Sequence, residues 1–329
     1  MSMTFTRRHA LAACAGAVLL PRAAHAQALE QLRVYYGFPP GSAGDITARR
    51  VTERLQAAGY VKTAGVVENK IGAGGRIALE ALKTAPADGS VLAVTPMSPV
   101  SIYPHVFKKL AYDPPNDFVA VSTATISHHA LAIGPSVPES VKTLKDFLAW
   151  AKANPEKAAY GSPGAGSTLH LLGAWLGLLA NVPLNHVPYR GSAPGVTDTV
   201  GGQIACMITP LGDVVPHQKS GKLRVLASTG PQRSPFAPDV PTFAEQGFAE
   251  LTTEEWFSFF APAKTPPAVL AAANAAINAA VKDKAVIDSL AAVSLIARGS
   301  TVDELARSQR AEFERWGPVI KRIGFTAES

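Results

Sequence analysis

Two stretches of this chain set glycines and small hydroxyl side chains where a strand hands over to a helix. They are Gly37-Phe38-Pro39-Pro40-Gly41-Ser42-Ala43-Gly44-Asp45 and Ser162-Pro163-Gly164-Ala165-Gly166-Ser167-Thr168. The N–H groups of a helix's first turn have no intrahelical acceptor, and with the helix dipole they attract an anion. Glycine lets that backbone approach a ligand closely. The first stretch adds the hydroxyls of Ser42 and, just beyond it, Thr47; the second adds Ser162, Ser167 and Thr168. Neither stretch holds a Lys or Arg. The chemistry that fits is a carboxylate held by neutral donors. A nucleotide triphosphate does not fit, because no Lys follows the glycines as a Walker loop requires, and Gly72-Ala73-Gly74-Gly75 is too short for a dinucleotide fingerprint. The same residues also read as tight turns in which glycine supplies a positive φ, and Asp45 also reads as a helix cap.

Catalytic patterns are missing. No Gly-x-Ser-x-Gly elbow is present, and the eight histidines include no His-x-x-x-His pair. His128 and His129 are adjacent at the start of a strand and therefore point to opposite faces. His170 reads as a packing residue in the first turn of a buried helix. Trp256, Phe257, Phe259 and Phe260 read as core that could wall a pocket. An exported hydrolase is the rival reading, and it lacks a nucleophile and base. No metal and no cofactor are expected.

The elements that must position the two loops follow one grammar. Strands are expected at Leu32–Tyr36, Val66–Glu68, Val91–Thr95, Ala130–Ile133, Ala159–Gly161, Ile204–Ile208, Leu223–Ala227 and Phe257–Phe260. Helices fall between them. Ala48, Val51, Leu55 and Ala58 recur at helical spacing after the first loop, and Leu144–Ala153 and the apolar run Leu169–Leu179 form two more. An alanine-rich helix starts at Pro267, and Thr301-x-x-Glu304 is a capping box opening a last helix with Leu305, Phe313, Trp316 and Ile320 on its face. Strand, loop, helix, strand in repetition argues for α/β layers on parallel sheets. The two loops stand at equivalent places in two units that could face one another.

Residues 1–27 read as an export signal, with Arg7 and Arg8, an apolar Leu11–Leu20 and the small-x-small site Ala24-His25-Ala26. The route is open between ordinary secretion and twin-arginine export. About ten apolar residues are too few for a spanning helix, which needs about 20, so no direct membrane insertion is expected. Cleavage after Ala26 removes three arginines and no acid, taking the formal charge from +6 to +3. That excess is too weak to argue for nucleic acid. Only Cys206 then remains, so no intrachain disulfide forms and stability rests on the core.

The chain resembles the Bug family, the periplasmic solute-binding proteins of tripartite tricarboxylate transporters. The landmarks are Gly37-Phe38-Pro39-Pro40-Gly41 with Asp45, Val67-Glu68-Asn69-Lys70 before Gly72-Ala73-Gly74-Gly75, Ala87-Asp88-Gly89, and Lys109-Leu110-Ala111-Tyr112-Asp113-Pro114 before Asp117-Phe118. Tyr160-Gly161-Ser162-Pro163-Gly164 with Gly166-Ser167, Val187-Pro188-Tyr189-Arg190-Gly191-Ser192-Ala193-Pro194, Pro238-Asp239-Val240-Pro241-Thr242 and Phe260-Ala261-Pro262-Ala263 complete them. The resemblance implies a bilobal α/β fold of the Venus-flytrap periplasmic-binding-protein type (type II) with a ligand cleft between its domains. Residues 28–126 with 253–329 would form one domain and 127–252 the other. It implies no catalytic step, and a small carboxylated solute as ligand. The implied contacts are Phe38, Gly41, Ser42, Ala43 and Asp45 in the first loop and Ser162, Gly164, Ala165, Gly166, Ser167 and Thr168 in the second, with Met97, His128, Tyr189 and Thr209 around them. Ser42 and Ser167 are expected to act mainly on the ligand and Asp45 more on the fold. The implied partners are the membrane components of a transporter, or a sensor kinase, with the protein itself monomeric. This chain departs from the family at Ser42, where a second glycine is usual, at Ile71 and Arg76, and at Met207-Ile208-Thr209-Pro210, where Met-Phe-Asp is common.

Overall fold

The computed structural model describes residues 28–327, and the expected export signal lies outside the described residues. Two sheets form the cores of two lobes. The first contains β1 (Arg33–Tyr36), β2 (Val66–Asn69), β3 (Val91–Pro96), β4 (Phe118–Ser127), β10 (Glu255–Pro262) and β11 (Ile296–Ala297), in the order β11-β4-β10-β3-β1-β2. The second contains β5 (His129–Ile133), β6 (Ala159–Ser162), β7 (Asn185–Pro188), β8 (Cys206–Pro210) and β9 (Arg224–Ser228), in the order β7-β6-β8-β5-β9. The helices of eight residues or more are α1 (Ala43–Thr52), α2 (Arg76–Lys83), α3 (Leu144–Ala153), α4 (Thr168–Ala180), α5 (Ser192–Val200), α6 (Leu211–Lys219), α7 (Pro267–Ala280), α8 (Lys284–Ala291) and α9 (Val302–Ile323).

Both sheets are mixed, where the strand–helix grammar predicts parallel ones. β10 runs antiparallel to β3 and β4, and β5 antiparallel to β8 and β9. The reason is the route of the chain. It leaves the first sheet at Ser127, enters the second at His129 and returns at Glu255. β5 and β10 each begin at the edge where neighbouring strands end, so they must run against them.

β10 shows why the two faces of the first sheet are distinct. All eight of its residues are buried. Phe257, Phe259 and Ala261 pack into one core with Val34, Leu92 and Val94, while Trp256 and Phe260 pack into the other with Ala93 and Trp316. That is the two-residue period of a strand covered on both faces. The longest strand, β4, is absent from the strands expected from sequence, because Ser122, Thr123, Thr125 and Ser127 break its apolar run. All four are buried, and three have partners for their hydroxyls: Ser122 Oγ donates to Ser300 O at 3.0 Å, Thr125 Oγ1 lies 3.0 Å from Thr47 Oγ1, and Thr123 Oγ1 lies 3.5 Å from Ser258 Oγ. β7 and β11 are also unexpected, being short edge strands of four and two residues.

The capping box at Thr301 forms as expected, with Thr301 Oγ1 accepting from Glu304 N–H and the Glu304 carboxylate accepting from Thr301 N–H. Leu305, Trp316 and Ile320 are buried on the α9 face, but Phe313 is half exposed and lies against His105. α9 also ties the lobes together. Arg322 sits 5.0 Å above the Trp175 ring, and Arg315 donates to Glu250 O at 2.8 Å. Among the described residues no helix is long and apolar enough to cross a membrane.

Candidate functional site between the lobes

The ends of β1, β3, β4, β6 and β8 and the starts of β5 and β10 meet along one edge between the lobes. This is where crossovers of α/β sheets leave their ligand crevices. The first glycine loop leaves β1 and enters α1. Gly41 takes φ +80°, a conformation only glycine adopts at little cost, and Gly44 lies so close to the Tyr36 hydroxyl and the Phe257 ring that a Cβ would overlap them. The loop is held from beneath by Asp45. Its side chain, 3% exposed, accepts from Gly41 N–H at 2.9 Å, Arg49 Nε at 3.0 Å and Asn69 Nδ2 at 2.8 Å. Asn69 also donates to Phe38 O at 3.0 Å. Burial pushes the Asp45 carboxyl up, but the hydrogen bonds from Arg49, Gly41 and Asn69 outweigh it and hold the group below its ordinary value. Asp45 therefore shapes the loop, with its oxygens turned to protein donors.

Ser42 begins α1 without a side-chain cap bond. Its hydroxyl donates to Pro39 O at 2.7 Å and lies 3.2 Å from the Tyr36 hydroxyl. Ser42 and Ala43 are part exposed at the helix start, and Phe38 stands beside them, its ring tilted on Tyr36 at 5.5 Å.

The second loop leaves β6 and enters α4, and its donors are largely used by the protein. Ser167 Oγ accepts from His170 N–H at 3.3 Å and donates to Gly164 O at 2.7 Å, so Ser167 is the helix cap. Gly166 N–H donates to His170 Nδ1 at 3.0 Å. Ser162 Oγ is 2.7 Å from His186 Nε2, and the rings of His170 and His186 stack at 3.9 Å. Burial lowers the His170 imidazole to about 4, and burial together with the neighbouring His170 lowers His186 to about 4 as well. Both rings are therefore neutral near pH 7, which leaves His170 Nδ1 free to accept. Thr168 faces the other lobe: its Oγ1 is 2.7 Å from Ser98 Oγ, which also accepts from Thr168 N–H at 3.3 Å. Gly164 and Ala165 stay part or fully exposed.

The remaining expected contacts fall in different places. Met97 is fully buried and presents its backbone, whose N–H donates to Glu255 Oε1 at 2.7 Å. Thr209 is buried, its hydroxyl donating to Asp213 Oδ2 at 2.9 Å. Tyr189 packs on Gly161 and Gly195 of its own lobe and donates to Asp198 Oδ2 at 2.8 Å. His128 turns away from these groups, its ring against Gly230 and 3.6 Å from Glu254 Oε1. Its neighbour His129 faces the edge instead, with Nε2 3.4 Å from Glu255 Oε2. Glu255, Asp213, His186 and Ser98 are the polar groups here that the sequence reading passes over. The one available signal was Glu255, a charge heading a run of buried aromatics. Among the described residues no group of three or more His, Cys, Asp or Glu could hold a metal ion. A cavity of about 460 Å3, lined by Thr123, Trp256, Arg298 and Glu312 among others, includes none of the loop residues.

Residues 48–325 match the family model described as tripartite tricarboxylate transporter family receptor, TctC. The chain belongs to this family. Protein BugT of Bordetella pertussis (strain Tohama I) is 32% identical over 308 residues, 93% of each chain. Among solved structures, R. palustris Rpa4515 with adipate superposes with a TM-score of 0.81 at 28% identity, over 90% of this chain and 98% of that one. MatC (Rpa3494) from Rhodopseudomonas palustris with bound malate gives 0.77 at 27%, over 88% and 99%. The architecture is the bilobal α/β fold of periplasmic binding proteins, and the TctC receptor binds solute rather than transforming it.

Proposed function

We propose that this TctC receptor works outside the cytoplasmic membrane, captures a small organic acid between its lobes and delivers it to the membrane components of a tripartite tricarboxylate-type transporter. The observation that carries the reading is the first loop. It aims a helix start, with part-exposed Ser42 and Ala43, into the edge between lobes, without a lysine or arginine in the loop to neutralise an anion. Backbone N–H groups and a hydroxyl are then the donors for a carboxylate. Part-exposed Gly164 and exposed Ala165 belong to the corresponding loop of the second lobe. Structurally similar proteins that hold adipate and malate support the ligand class. A thermal-shift screen of the purified protein with a panel of mono- and dicarboxylates tests it, because a ligand that binds only the folded state raises the melting temperature. At least one acid at millimolar concentration is expected to do so; a flat response across the panel overturns the reading.

A further inference from the structure

The helix starts of the two glycine loops are not alike. α1 opens at Ser42 without a side-chain cap bond, and Ser42 and Ala43 stay part exposed. The start of α4 is filled by a residue of the other lobe. Ser98, just after β3, places its Oγ 2.7 Å from Thr168 Oγ1, a bond in which either hydroxyl can donate. The same Ser98 oxygen accepts at 3.3 Å from Thr168 N–H, which has no acceptor within its own helix. It therefore sits where a bound anion would otherwise accept. Both residues are buried. The helical turn Ser98–Ile102 that carries Ser98 is itself fixed. All five of its residues are buried, Tyr112 donates to Pro99 O at 2.8 Å, and Ser101 Oγ donates to Gln309 O of α9 at 3.2 Å. Beside the Ser98–Thr168 pair, the second loop meets the first lobe again. A Cβ on Gly166 would lie 3.1 Å from Val106 and 3.4 Å from the Phe325 ring, and that ring stands edge-on to His170 at 4.5 Å. Ala327 N–H donates to Val106 O at 2.9 Å and ties the Phe325 segment to the first lobe.

We propose that Ser98 is a positioning residue for ligand binding: it latches the second lobe to the first by seating its hydroxyl in the start of α4, and so holds the cleft closed without touching the ligand. This rests on the reading that a small acid binds between the lobes with its carboxylate on the first loop. Ser98 and Thr168 follow strands of different sheets, and the chain crosses between those sheets elsewhere, from Ser127 to His129 and again on its return at Glu255. Separation of the lobes about those crossovers parts the pair. The parted hydroxyls and N–H regain water, so the latch is worth about one net hydrogen bond, roughly a three- to tenfold bias toward the closed form. That bias is small enough for the lobes to open and admit a ligand. A ligand that binds the closed form gains affinity in proportion to the closed fraction. With the α4 start filled by a neutral hydroxyl, the α1 start is left as the anion site.

The test is small-angle scattering of the purified protein without ligand, as the parent, Ser98→Ala and Thr168→Val. The parent curve is expected to fit the closed structure. Both variants should shift to a larger radius of gyration, as the closed-to-open ratio falls about three- to tenfold. Thr168→Ser keeps the hydroxyl and the N–H and should scatter like the parent. Melting curves check that each variant folds. Calorimetric titration with butanoate and succinate, a mono- and a dicarboxylate of one length, reads the consequence for binding. Whichever binds the parent should bind Ser98→Ala more weakly, by up to the same factor. A radius that neither folded variant changes overturns the proposal, even if both melt lower, because the pair is then packing alone. A parent already as open as Ser98→Ala also overturns it. Either result leaves the carboxylate reading standing. If no carboxylate binds, that reading falls, while a larger radius in both variants still supports the latch.

Discussion

Replacing Asp45 by Ala separates a loop-shaping role from a ligand-binding one. The carboxylate is 3% exposed and accepts three hydrogen bonds, from Gly41 N–H, Arg49 and Asn69. Removing it leaves a backbone N–H and a side-chain amide without their acceptor and frees a guanidinium that is 43% exposed and can turn to water. Each orphaned neutral donor costs about 1–3 kcal/mol, and the Arg49 interaction adds little at that exposure. The expected loss is therefore about 3 kcal/mol of folding stability. At about 2–4 °C per kcal/mol for a chain of this scale, the ligand-free protein should melt roughly 6–12 °C lower. The sign with pH follows from the depressed carboxyl. Its stabilisation is fully present above the unfolded value near 4 and is lost as pH falls through the lower folded value, so the variant should show a shallower loss of stability below pH 4. Differential scanning calorimetry without ligand, from pH 3 to 7, reads both effects. An Asp45→Ala protein that melts like the parent but no longer binds acid would refute the reasoning, because it would make Asp45 a ligand contact.

Ser167→Ala should lose about 1 kcal/mol of ligand-free stability, the cost of a helix cap, with little change in affinity measured by calorimetry. Ser42→Ala should do the reverse, leaving the melting point nearly unchanged and weakening acid binding about tenfold, equivalent to about 1.4 kcal/mol. Because His170 and His186 are lowered to about 4 from the ordinary 6.5, the unfolded chain takes up protons first. Stability should fall as pH drops from about 6.5 toward 4, and His186→Gln should reduce that dependence in melting curves. Esterifying the carboxylate of whichever acid binds should cost roughly 2 kcal/mol in calorimetry, and equal affinity for acid and ester would contradict a helix-start anion site.

The order of strands and helices was legible because it depends on local periodicity. Ala48 and Val51 fall on the buried face of α1, as their spacing demands, Leu55 is buried in the turn just past its end, and the Thr301 box caps α9 because its partners lie three residues apart. β4 was not legible, since its buried Ser and Thr residues read as solvent-facing until Ser300 and Thr47 arrive from elsewhere to pair with them. Strand direction was obscured for a related reason: it follows from where the chain crosses between lobes, which no short window contains.

At the site, the sequence by itself determined that two glycine loops open helices, that neither carries a cation, and that no catalytic set accompanies them, because residue type and short spacing suffice for these. Only the tertiary structure decided which donors remain available. The hydroxyl of Ser167 and the carboxylate of Asp45 have partners within the protein, His170 N–H for the one and Gly41 N–H and Asn69 for the other, that no short window of sequence shows to be in reach. Alternation on a strand guarantees that His128 and His129 face opposite ways, but only the return of β10 with Glu255 shows that His129 is the one turned to the edge. Glu255 stands 126 residues from His129, and Asp213 belongs to the other lobe from Glu255. Groups so far apart acquire a shared environment only when packing brings them together, and that environment decides which of them are paired within the protein and which are left to meet a ligand.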